Sequence, residues 1–146
     1  MSVVFLGGCF RDLVAISERF PKVGETIQGS KFHMGFGGKA ANASVMCARM
    51  GGTVALIAKL GNDANGVAYK EALEKESIDT KYLFTDSTEP TGVAQIMVEA
   101  SGQNMIIVVP GSNMTLTPYE VGEAKPVIEQ ASLMTFGLEG NAYGCL

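Results

Sequence analysis

The chain has 146 residues, 47% of them hydrophobic and 18% charged, which is enough for one domain with a buried core. A net charge of −4, a pI near 5.0 and scattered lysines argue against a nucleic-acid surface, and no apolar run reaches the roughly 18–20 residues of a membrane helix. Three cysteines without zinc spacing and a single histidine leave no evident metal site and fit a reduced, cytosolic setting.

The first element expected is a strand at Val3 to Leu6, a continuous apolar run stopped by Gly7-Gly8. Such runs mark strands buried on both faces of a parallel sheet. Asp12 follows shortly after. Glu25 to Met34 alternates in polarity and is expected as a half-exposed strand outside that sheet. Gly37-Gly38-Lys39-Ala40-Ala41-Asn42 then opens a helix running from Ala40 to Met50 and closed by Gly51-Gly52.

Thr53 to Ala58 reads as a second buried strand and Gly66 to Lys75 as a second helix. Gly92 to Val98 and Met105 to Val109 form a hairpin through Ala100-Ser101-Gly102-Gln103. Thr117-Pro118 supplies a cap and a first-turn proline for one helix over Tyr119 to Gln130, and Leu133 to Phe136 is expected as a parallel strand, inner in a complete sheet but left as an apolar edge in residues 1–146. The alternation of strand and helix defines an α/β fold. The half-polar strands form a small separate sheet, a flap hinged at Gly35 and Gly111 that can close over a ligand.

The glycine-rich helix start is the chemically informative segment. Glycines let backbone come close to a ligand, and the helix directs unpaired N–H groups and its positive end at it. Lys39 and Asn42, one turn into the helix, add donors, and Asp12 can accept. Such a mixed fan suits a polyol, since each desolvated hydroxyl left unpaired costs about 1–3 kcal/mol. A cation at a helix N-terminus is also unfavourable unless something anionic or oxygen-rich faces it.

Bland readings stand beside this one. Gly37-Gly38 is equally a tight turn, Asp12 a turn cap, Glu139 an exposed acid, and His33 a surface residue of the flap. Cys47 reads as a packed, inert thiol, and the methionines at 34, 46, 50, 97, 105, 114 and 134 as core filler. Gly35 to Ala40 formally fits G-x-G-x-x-A, but the preceding strand belongs to the flap and the next acid is Asp63, so a dinucleotide site is a poor match. A phosphate-binding P-loop fails because Ala40 stands where a Ser or Thr would hold magnesium.

These residues resemble the phosphofructokinase-B, or ribokinase-like, family of carbohydrate and nucleoside kinases. The resemblance runs from Val3 to about Glu139. It is carried by Val4-Phe5-Leu6-Gly7-Gly8-Cys9-Phe10-Arg11-Asp12, Pro21-Lys22-Val23-Gly24-Glu25-Thr26, Phe36 to Asn42, Thr91-Gly92-Val93-Ala94 and Gly102-Gln103-Asn104. The Pro-x-x-Gly-Glu-Thr segment with Gly111-Ser112-Asn113 points within the family to kinases of ribose. Ala40 departs from the family's usual third glycine, and the tail from Gly140 to Leu146 does not continue its pattern.

The resemblance implies a three-layer α/β sheet with helices on both faces and a small β-sheet lid, with lid strands at about residues 13–34 and 91–110. It implies ATP-dependent phosphorylation of D-ribose to ribose 5-phosphate in the complete protein, with Mg and a monovalent cation, K, as cofactors. By the same similarity Asp12, Gly38, Lys39, Asn42 and Glu139 match sugar-contacting positions, with Ala40 and Ala41 in the same block and Phe10 and Arg11 lining the strand end. The Gly-Ala-Gly-Asp segment that supplies the general base and anion hole is not present in residues 1–146. The chain is therefore expected to be the N-terminal, sugar-binding part of one domain and inactive alone, with a homodimer formed through the lid. A cytoplasmic location is expected, or a nuclear one in a eukaryote. The alternatives are a non-catalytic variant that pairs subunits through its lid strands, and a kinase of another sugar or of a nucleoside.

Overall fold

The computed structural model describes residues 2–141. Four parallel strands form the central sheet in the order β5-β4-β1-β8: β1 (Ser2–Leu6), β4 (Thr53–Gly61), β5 (Leu83–Asp86) and β8 (Leu133–Phe136). Side-chain alternation sends Val3, Phe5, Val54, Leu56, Ala58 and Leu60 to one face. There they pack with α1 (Lys39–Arg49) and α2 (Ala64–Lys75). Val4, Leu6, Ala55 and Ile57 point the other way, against α3 (Pro118–Glu123) and α4 (Lys125–Gln130). Two cores on opposite faces of one parallel sheet make the three-layer α/β arrangement.

The second sheet, ordered β3-β2-β6-β7, stands beside the first and contains β2 (Phe10–Ile16), β3 (Lys31–Gly37), β6 (Gly92–Val98) and β7 (Asn104–Val109). β2 and β6 run parallel and are flanked by antiparallel β3 and β7. This sheet is entered from the end of β1 through Gly7-Gly8-Cys9 and left toward α1 through Gly37-Gly38. It is thereby rooted at the C-terminal ends of the parallel strands, where open α/β sheets form crevices.

Several expectations are corrected. Glu25 to Met34 is not one strand, because residues 17–30 form a loop. In that loop Glu25 accepts from the Arg19 guanidinium and from Lys22 N–H, so pairing begins only at Lys31 opposite Ile16. The second sheet also gains a strand from Phe10, earlier than position 13. The helix expected over Tyr119 to Gln130 breaks at Ala124, because Pro126 has no N–H to donate and its ring crowds the preceding turn. Gly35 lies inside β3 opposite Asp12, and Gly38 takes the positive φ of 109° at the turn into α1.

Met34, Met46, Met50, Met105 and Met114 are exposed rather than core filler. β8 lies at an edge of the described sheet, the place expected for it in residues 1–146, with Leu133 and Phe136 open to solvent. His33 is exposed on β3. Cys9 and Cys47 are free thiols, and Cys145 lies outside the described residues. No helix among the described residues is long and apolar enough to cross a membrane.

Candidate functional site

The root of the second sheet brings the C-terminal ends of β1 and β8, the start of β2 and the N-terminus of α1 into one place. Asp12 reaches it from β2. A Cβ added at Gly37 would lie 2.5 to 2.8 Å from the atoms of the Asp12 carboxylate, so the absence of a side chain at Gly37 makes room for that group. The carboxylate receives no hydrogen bond among the described residues. Its pKa is raised, first by burial and then by the negative charge of Glu139, with Arg11 partly offsetting both.

Glu139 arrives from the loop after β8. Its carboxylate accepts the Lys39 backbone N–H at 2.5 Å and faces the Lys39 ammonium at 3.0 Å. The misplaced cation of the first helical turn is thus compensated, and an acid occupies the positive end of α1, where negative charge is favoured. Asn113 holds this corner together. Its side chain accepts from Cys9 N–H and donates to the Cys9 and Pro110 carbonyls, each at 2.8 Å. Its backbone carbonyl accepts from Asn141 N–H at 2.9 Å, just beyond Glu139.

The other sequence-predicted residues take different places. Ala40 and Ala41 are buried, and the Ala40 methyl fits between Gly7 and Gly137, where an added Cβ would lie 2.6 and 2.9 Å away. Phe10 is buried against Gly8 and Gly92. Arg11 lies with its guanidinium 4.4 Å from the centre of the Phe36 ring, and its Nε and Nη1 are buried without a hydrogen-bond partner among the described residues. Asn42 is exposed on α1 and lines a cleft of about 360 Å³ between α1 and α2, with Phe36, Met46, Arg49 and Tyr69. Asp12, Gly37, Gly38, Lys39 and Glu139 therefore converge, while Asn42 borders that corner from the cleft side.

Two supporting residues escaped the sequence reading. Tyr69 reads in sequence as one more buried residue of an amphipathic helix, yet its hydroxyl donates to the Gly37 carbonyl at 2.5 Å. Asp63 caps α2 by accepting from Gly66 N–H and also takes both the N–H and the hydroxyl of Thr91, each at 2.8 Å, so that α2 is tied to the foot of β6. The dipeptide Asn62-Asp63 before a helix was a legible cap signal, but its long-range partner was not. Among the described residues no group of three His, Cys, Asp or Glu side chains is placed to hold a metal ion.

A parallel α/β layer with a small sheet rooted above its strand ends, and two acidic side chains beside a glycine-rich helix start, place the chain in the α/β class to which carbohydrate kinases belong. The pfkB family carbohydrate kinase model matches residues 1–137, and the chain belongs to that family. It is 42% identical to the ribokinase of Mus musculus over 138 residues, covering 94% of this chain and 43% of the relative. It is 35% identical to the ribokinase of Bacillus subtilis over 133 residues, 91% and 45% respectively.

Among solved structures, Arabidopsis thaliana ribokinase complexed with ribose and ATP superposes with a TM-score of 0.82 at 31% identity, over 92% of this chain and 44% of that one. Ribokinase from Giardia lamblia gives 0.83 at 29% identity, over 92% and 41%. The chain thus spans less than half the length of these relatives.

Proposed function

We propose that the chain provides the sugar-binding part of a kinase that phosphorylates D-ribose to ribose 5-phosphate with ATP. The observation that carries this reading is the Asp12 carboxylate, partly buried, without a donor among the described residues, and set beside the α1 N-terminus and the Lys39–Glu139 pair. A polyol supplies the missing donor to Asp12 and exchanges hydrogen bonds with Lys39 and Glu139, while Gly38 lets backbone approach the ring. Asn42 borders the same corner and reads the far side of the ligand, with Arg11 behind it against Phe36. These are positioning roles, which suit phosphoryl transfer, where alignment and charge stabilisation carry most of the catalysis.

The Gly-Ala-Gly-Asp segment that would supply the general base and anion hole does not occur in residues 1–146, and the reading for these residues is sugar binding without turnover. The second sheet acts as the lid, and its exposed β7 pairs two subunits. A non-catalytic role through that pairing is the second reading, favoured by the apolar exposure of β7.

Titration calorimetry of the chain with D-ribose, ATP and NAD separates the possibilities. Ribose alone is expected to bind, and Asp12→Ala to weaken it about ten- to a hundredfold, equivalent to roughly 1–3 kcal/mol. Ribose affinity that is absent, or indifferent to Asp12→Ala, would overturn the sugar site, and binding of NAD alone would restore the dinucleotide reading of Gly35 to Ala40.

A further inference from the structure

We propose that Tyr69 is a positioning residue for the sugar site, its hydroxyl fixing the Gly37 carbonyl so that Asp12 and the N-terminus of α1 keep their relative places. The inference rests on the sugar-site reading above. Tyr69 belongs to α2 and is 2% exposed in the core between α2 and the parallel sheet. Packing there asks only for an aromatic ring. A phenol hydroxyl in the same place is costly to bury unless it is hydrogen-bonded.

Its acceptor is the carbonyl of Gly37, the last residue of β3 and the first of the two glycines leading into α1. Gly37 matters twice to the site. The Asp12 carboxylate rests over its bare Cα, and its peptide leads directly into Gly38, whose φ of 109° sets the direction of the Lys39 N–H. Tyr69 also holds the preceding residue. Its ring meets Phe36 edge-on, with centroids 4.9 Å apart and planes at 73°, and Phe36 in turn carries the guanidinium of Arg11, the residue before Asp12 on β2.

One helix side chain therefore grips two successive residues at the joint between the second sheet and α1. The hydroxyl remains a donor at any physiological pH, because burial raises its pKa and the nearby Cys9 thiol and carboxylates add to the effect. A shift at this joint would move Asp12 and Lys39 relative to each other, and small misplacements of binding groups cost affinity steeply.

Tyr69→Phe keeps the ring and removes only the tether. Leu73→Val, one turn along α2 in the same core, serves as a control for general loosening. Two quantities are read on the 146-residue chain: D-ribose affinity, and amide exchange at Gly38, Lys39 and Ala40. The expected result for Tyr69→Phe is about a tenfold loss of ribose affinity with faster exchange at those three amides. Leu73→Val should change neither, even where it lowers the thermal midpoint as much.

Equal effects from both variants, or no effect from Tyr69→Phe, would overturn the assignment. If the unsubstituted chain does not bind ribose, the sugar reading falls by itself. Amide exchange then still decides the tether, since unchanged exchange in Tyr69→Phe would refute it.

Discussion

Gly37 and Gly38 are both crowded, but by different atoms, and that difference separates binding from folding. A methyl at Gly37 meets the far end of the Asp12 side chain, which can swing away. Gly37→Ala should therefore fold with a thermal midpoint close to the unsubstituted chain yet bind ribose about ten- to a hundredfold more weakly, as read by calorimetry. At Gly38 the methyl meets the Gly8 carbonyl, which is backbone, in a residue whose φ is 109°. Gly38→Ala should destabilise the fold by about 2–4 kcal/mol in urea titrations. Equal losses of stability in the two variants would show that Gly37 serves the turn and not the site. Lys39 was legible because a cation at a helix start calls for a counter-charge, and Asp12 as an acceptor near the glycine block, whereas Glu139, 100 positions from Lys39, was singled out only by the family resemblance. Asn113 and Tyr69 were not, because their partners lie far along the chain: Asn113 bonds Cys9, 104 positions away, and Tyr69 bonds Gly37, 32 positions away.

At the scale of elements, three of the four parallel strands and the first two helices follow from apolar runs and their stops, whereas the short β5 was not read and the second sheet was only half readable. Its strand limits are fixed by side chains that occupy the backbone elsewhere. Glu25 closes the 17–30 loop before β3 can start, and Asp63 fastens the foot of β6 to the cap of α2. The Asp63 clasp gives a pH prediction. Burial tends to raise the Asp63 pKa, but the hydrogen bonds from Gly66 and Thr91 outweigh it and the net shift is downward. A carboxylate whose folded value lies below its unfolded value stabilises the fold above the unfolded value, near pH 4. That contribution is lost as pH falls through the lower folded value. Thermal midpoints taken from pH 6 down to pH 2.5 should drop more steeply for the unsubstituted chain than for Asp63→Asn. At pH 6 the Asn variant should already be less stable by about 1 kcal/mol, the usual scale of a lost cap. Parallel curves for the two proteins would show that the clasp contributes nothing to the acid limb.

The whole molecule presents two apolar edges of different kinds. In β7, Met105 to Val109 are 50–63% exposed, and because successive residues alternate faces, both sides of this edge strand are apolar. In β8, Leu133 and Phe136 are exposed at the end of a parallel sheet, a setting in which strands are normally covered on both faces. Unpaired backbone groups beside apolar side chains make each edge a template for another strand. The open edge at Leu133 to Phe136 was expected from the sequence, whereas the exposure of both faces of β7 was not, since a strand's surroundings are set by which other elements are present. The 146-residue chain should therefore associate at micromolar concentration and bind a hydrophobic dye. The two edges should be separable by sedimentation. Ile107→Lys with Val109→Lys, on one face of β7, should shift the species toward monomer while dye binding at β8 persists. Phe136→Lys should lower dye binding and leave association through β7 in place. A monomeric, dye-negative sample of the unsubstituted chain, melting in one cooperative transition, would mean that residues 1–146 close their own surface, and the pairing of subunits through β7 would have to be given up.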